Sequence, residues 1–208
     1  MKMYLRPMLA VAAMTSVSAC MGGGGGDDIV TSNGILLLEV PDQGTYAELD
    51  GKLQQMVDRI IESNESSDTA TQPAGNTSYS GLFGMVFDGD GALVSGAATL
   101  TVDNALDMDY TFFLDDIKDA GNPDATVSGT LTGSANAGGG TFNGGLVGNM
   151  AAIDFDGPGG PNAPAGFTVG GNVTGAFDAD GDAFGQIEGT AGAESTPFVG
   201  LFHATQNP

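Results

Sequence analysis

Between Tyr79 and Ala204 the chain alternates apolar and polar residues with a period of two, and that alternation restricts this region to half-buried β-strands. Tyr79, Gly81, Phe83, Met85 and Phe87 share one parity. Val169, Gly171, Val173, Gly175 and Phe177 share another, with Thr168, Asn172 and Thr174 between them. Each segment therefore has one apolar face and one wet face. Eight such segments, near 78–87, 92–103, 109–115, 125–133, 141–147, 167–177, 183–190 and 197–204, are bounded by Gly, Asp, Asn or Pro and predict eight short antiparallel strands. The chain has 35 glycines and no tryptophan. Glycines at inward positions suit a strongly coiled sheet, where a side chain would collide with a neighbouring strand at the bends. Closing that sheet on itself removes its edges. The expected fold class is all-β, a small antiparallel eight-stranded barrel over residues 78–208.

Upstream the period changes. Leu49, Leu53, Met56, Val57, Ile60 and Ile61 fall at i, i+4, i+7, i+8, i+11 and i+12, opposite Asp50, Lys52, Gln55, Asp58 and Arg59, which predicts one amphipathic helix over 45–63. Its apolar stripe must be covered, and packing on the barrel is the simplest cover. Residues 64–77, polar with Pro73 and Gly75, read as a linker.

The first twenty residues carry a different chemistry. Lys2 and Arg6 form a positive start, Met8 to Val17 an apolar run too short to span a bilayer, and Val17-Ser18-Ala19-Cys20 a small-residue approach to the only cysteine. The pattern resembles the lipobox of bacterial lipoproteins. It implies that residues 1–19 are an export signal and that the Cys20 thiol carries diacylglycerol and further acyl chains, such as palmitate, since stable anchoring needs more than one chain. Met21 and Gly22–Gly26 then begin a flexible tether over 20–44. Met21 stands where an Asp would resemble an inner-membrane retention signal, so the expected location is the outer membrane, lipid-anchored, with both a periplasmic and a cell-surface orientation open.

Cleavage before Cys20 takes the formal net charge from −21 to −23. Such a field repels phosphate backbones and excludes nucleic acid as a natural partner; it favours a basic partner or cations. With the sole cysteine acylated no disulfide forms, and stability rests on burial.

Tyr79-Ser80-Gly81 opening the first strand, the run Gly96 to Asp103 (GAATLTVD), Val127-Ser128-Gly129-Thr130-Leu131, and the terminal stretch Gly189 to Ala204 resemble the barrel domain of transferrin-binding protein B and its surface-lipoprotein relatives. Gly189, Gly192, Ala193, Glu194, Gly200 and Phe202 keep the outline of that family's last hairpin, without its proline after the second glycine. The longer members have two lobes, each with a handle domain. One barrel and one helix here imply a small single-barrel relative, and such relatives bind haem proteins and host factors, which suggests iron or haem acquisition.

Several residues invite binding chemistry. Asp178, Asp180 and Asp182 start like a calcium loop, but the sixth position is Ala183 and the twelfth Gly189, so a hairpin turn is the simpler reading. Asp88-Gly89-Asp90-Gly91 reads the same way. His203, the only histidine, could serve as one axial haem ligand, although nothing pairs it with a second. No Ser sits in a nucleophile elbow and no loop has the phosphate-cradling spacing, so no enzyme is expected. The expected role is a ligand- or protein-binding barrel using loops 116–124 and 154–166; the alternative is a structural or adhesive surface lipoprotein. A membrane-embedded barrel is disfavoured by strands shorter than a bilayer requires and by missing aromatic girdles.

Overall fold

The computed structural model describes residues 28–30, 37–39, 51–66, 70–88, 92–118, 125–153, 165–193 and 195–208. The export signal, Cys20 and the five-glycine run lie outside these residues. Two short strands, β1 (Asp28–Val30) and β2 (Leu37–Glu39), pair antiparallel. The segment read as a continuous tether therefore contains a ribbon, formed where Ile29-Val30 and Leu37-Leu38 interrupt its polar composition. Helix α1 spans Gly51–Ser66. It runs three residues past the expected end, because Asn64-Glu65-Ser66 contains neither Gly nor Pro to stop it.

Eight strands follow: β3 (Thr77–Phe87), β4 (Leu93–Val102), β5 (Asp107–Lys118), β6 (Thr126–Asn136), β7 (Thr141–Ile153), β8 (Ala165–Phe177), β9 (Ala183–Ala191) and β10 (Thr196–Gln206). Each pairs antiparallel with its neighbours in sequence, and β10 pairs with β3 to close the barrel. The expected eight-stranded antiparallel barrel preceded by one helix is the observed fold.

The interior is solid. Tyr79, Phe83, Phe87, Tyr110, Phe112, Phe177 and Phe202 are buried and point inward. Their rings form a chain of contacts: Tyr79 to Phe177 at 5.4 Å, Phe177 to Phe142 at 5.4 Å, Phe142 to Phe202 at 6.1 Å, Phe202 to Phe112 at 5.5 Å and Phe112 to Phe83 at 5.2 Å, tilted or edge-on as ring quadrupoles prefer. An eight-stranded barrel is just wide enough to be filled by side chains or to hold one small ligand, and here the rings occupy that space. Glycine makes this packing possible. Tyr110 pairs across the sheet with Gly133, Phe142 with Gly175, Phe202 with Gly185 and Phe198 with Gly189. In each case the ring lies where the glycine's Cβ would be: a Cβ at Gly185 would stand 2.8 Å from Phe202 Cε1, and one at Gly189 2.8 Å from Phe198 Cζ. Inward glycines thus receive the ring of the residue opposite, which adds a second cause to the bends expected from the sequence.

One irregularity interrupts the ladder. Ser95 pairs with Asp116 but Gly96 with Leu114, so Asp115 is skipped, and Ile117 points inward despite standing three residues after Leu114.

The apolar stripe of α1 closes over the outside of the barrel. Leu53, Met56, Val57 and Ile60 are buried against Val86, Leu93, Ala176, Phe184 and Leu201. Full burial of Val57 and Ile60 contributes about 1.5–3 kcal/mol each. Elsewhere the outer face is polar: Thr130, Thr132, Asn143, Asn149, Thr168 and Asn172 are exposed, and among the described residues only Phe113 and Val147 stand out as large exposed hydrophobics. The strands are 9 to 13 residues long, so the expectation of short strands is corrected and length does not argue against a membrane barrel. The composition of the outer face does, because a lipid-facing barrel needs a continuous apolar band there. No described helix is long and apolar enough to cross a membrane.

Candidate functional site

The barrel's two rims differ. At one rim the β4–β5, β6–β7 and β8–β9 connections are tight turns. Asp103 Oδ1 accepts hydrogen bonds from the Ala105 and Asp107 amides at 2.7 and 3.0 Å, and Leu106 sits at φ 65° to complete that turn. Asp178 repeats the device: its Oδ1 accepts from the Asp180 and Asp182 amides at 3.0 and 2.9 Å. Both aspartates are therefore turn residues, and for Asp178 this is the reading made from the sequence. At the opposite rim lie the β3–β4, β5–β6, β7–β8 and β9–β10 connections. Residues 119–124 and 154–164, the core of the two loops expected to recognise a partner, lie outside the described residues, but their flanking strands β5 and β6, β7 and β8 bring both to this same rim.

The described residues hold one buried polar cluster, beneath the C-terminal half of α1. His203 sits on the outer face of β10, opposite Leu82 of β3 and Phe184 of β9. Asp182 lies two residues before Phe184, on the same face, and its Oδ2 is 3.9 Å from His203 Nε2. Its Oδ1 accepts from the Gln206 amide at 3.2 Å. Asp178 is 5% exposed, and its Oδ2 accepts a 2.7 Å hydrogen bond from Ser63 Oγ on the helix. The ligand-capable atoms of Asp178, Asp182 and His203 all lie within 4.8 Å of one another. Burial pushes the His203 imidazole below its ordinary value; the Asp182 carboxylate pulls it upward, Arg59 on α1 lowers it, and Asp178 raises it.

The structure thus separates the three aspartates singled out in the sequence. Asp178 and Asp182 join His203, whereas Asp180 is exposed on the turn and outside the cluster. Ser63 was not anticipated; it follows the apolar stripe of α1 and carries no motif. His203 is 6% exposed, its Nε2 faces a carboxylate, and the barrel interior is filled by its own rings. A shallow groove on the tight-turn rim, lined by Thr77, Thr101, Asp103, Asp107 and Asp109 among others, is open and acidic.

Comparison with protein-family models, with curated proteins and with solved structures returns no match. The resemblance to the transferrin-binding protein B barrel rests on the motifs quoted above.

Proposed function

We propose that the chain is an outer-membrane lipoprotein, anchored through Cys20, whose barrel is a rigid acidic platform that engages a protein partner through the loops of one rim. The observation that carries this reading is the filled interior: a barrel packed from Tyr79 to Phe202 with side chains leaves recognition to its outside. Support for a rim partner comes from connectivity, since the connections 119–124 and 154–164 share one end of the barrel while tight turns occupy the other. The strong negative charge supports a basic partner surface, through faster association more than through tighter binding. Haem carriage is the less favoured form of the family expectation, for the geometric reasons given at His203.

The reading is tested in two steps. Cys20→Ala should abolish acyl labelling and release the protein from the membrane fraction. Replacing 119–124 and 154–164 with Gly-Ser segments of equal length should leave the melting temperature near wild type and remove in-cell crosslinks to a partner. Crosslinks that persist unchanged in the loop variant refute rim recognition, and an absence of any partner in wild type leaves the structural lipoprotein in its place. Haem titrated into the protein should give no saturable Soret shift; a shift lost in His203→Ala would establish haem carriage through that residue on the outer face.

A further inference from the structure

The β8–β9 turn and β10 bring an imidazole and two carboxylates together beneath α1, and the geometry exceeds what a hairpin needs. The β4–β5 turn is the internal comparison: Asp103 makes the same pair of amide hydrogen bonds as Asp178 but has no histidine beside it. What distinguishes the second turn is His203. It is 6% exposed, yet its side chain makes no hydrogen bond to any described residue. Its Nε2 points at Asp182 Oδ2 from 3.9 Å, beyond hydrogen-bond range. A buried imidazole that makes no hydrogen bond and stands close to two carboxylates leaves room for a ligand the protein itself does not supply.

We propose that Asp178, Asp182 and His203 form a binding site for a divalent first-row transition ion, with Ser63 beside it. The carboxylates are already oriented for this. Oδ1 of each is held by backbone amides, which leaves Asp182 Oδ2, 3.9 Å from Nε2, and Asp178 Oδ2, which accepts from Ser63 Oγ, as the remaining carboxylate oxygens. Ligands of one tetrahedral ion at ordinary bond lengths stand about 3.4 Å apart, so the cluster, whose atoms lie within 4.8 Å of one another, closes on an ion with shifts of about an ångström. One nitrogen and two carboxylate oxygens suit zinc or manganese(II); calcium takes six or more oxygens and has no use for the imidazole. The ion neutralises two close carboxylates, one of them buried. It also ties β8, β9 and β10 together, and through the Ser63–Asp178 hydrogen bond it pins the end of α1 to the barrel. This inference is independent of the proposed partner rim.

The full-length protein in detergent, stripped with a chelator, is titrated with Zn2+ by calorimetry and with Co2+ by visible absorption. The expected result is one saturable equivalent that raises the melting temperature and gives a cobalt d–d band. His203→Leu and Asp182→Asn should each weaken Zn2+ binding by more than about tenfold, while Asp103→Asn on the comparison turn leaves it unchanged. Should His203→Leu fail to fold, Asp182→Asn at its 21% exposed side chain carries the same comparison. Absence of a stoichiometric site in wild type overturns the proposal, as does binding that neither variant weakens, which would belong to the acidic surface at large. Displacement of bound Zn2+ by equimolar Ca2+ would overturn the assignment to a transition ion.

Discussion

Gly175→Ala probes the rule that inward glycines accept the ring of the residue opposite. The new Cβ would fall inside contact distance of Phe142 Cζ and the Phe184 carbonyl oxygen, and 2.7 Å from Phe142 Cε2. Neither neighbour yields easily. The carbonyl belongs to the paired strand β9, and the Phe142 ring is wedged between Phe177 and Phe202. Overpacking of a filled core costs about 1–3 kcal/mol, and a clash with backbone as well as a ring places this site near the upper end. For a barrel of this size about 3 kcal/mol lowers the melting temperature by about 10 °C. The assay is equilibrium urea unfolding of Gly175→Ala beside Gly170→Ala, whose Cβ would meet nothing within 4 Å on the outer face of the same strand. Gly170→Ala should be neutral or gain up to about 1 kcal/mol through a stiffer unfolded chain. Combining Gly175→Ala with Phe142→Ala should cost at least about 1 kcal/mol less than the two single changes together, because the second removes the ring the first strikes. Equal stabilities for the two alanine variants, or strict additivity in the cycle, would refute the ring-over-glycine account.

The remaining predictions concern the core's phenol, the helix and the turns. Burial pushes the Tyr110 phenol up to about 12, so the folded state favours its neutral form; stability is full below pH 10 and falls as pH rises through about 12. Tyr110→Phe should shrink that alkaline loss in urea unfolding at pH 9 and 11, leaving the smaller share due to Tyr79, whose pKa burial also raises; an undiminished loss counts against it. Ile60→Asp puts a charge into a fully buried site between helix and barrel and should release α1, read as lost amide protection in hydrogen exchange over 51–66 with β3 to β10 still protected. Asp103→Ala removes two exposed turn hydrogen bonds and should cost about 1 kcal/mol in the same unfolding assay, whereas Asp178→Ala, which also loses the buried hydrogen bond from Ser63, should cost more.

Much of the barrel was legible because its signal is local. Alternation and turn residues within each segment define strands such as β3, β8 and β9 almost to the residue. Where the pattern broke, the reading fell short. In β5 the alternation stops at Asp115, because the bulge there shifts the parity of Ile117, and in β7 it stops at Val147, because Gly148 and the polar Asn149 obscure Met150 behind them. The site is a different case. Asp178, Asp182 and His203 were each noticed, but as a turn and a lone imidazole, since their meeting depends on how β9 and β10 register. Counting back from the turn at Gly192–Ser195 sets His203 opposite Phe184 and hence beside Asp182. Ser63 had no comparable route, because its place is fixed by how the helix lies across the barrel.

The seam between β3 and β10 governs when this protein can fold. Tyr79 finds its partner at Gln206, so the first strand of the barrel waits for nearly the last residue of the chain. Until β10 has been made, β3 and β9 each present an open edge and the aromatic interior lacks Phe198 and Phe202. Closure is the most non-local step available to the chain and therefore a slow one. A chain whose β10 is not yet available cannot seal this seam, so the architecture keeps the barrel open until that strand arrives.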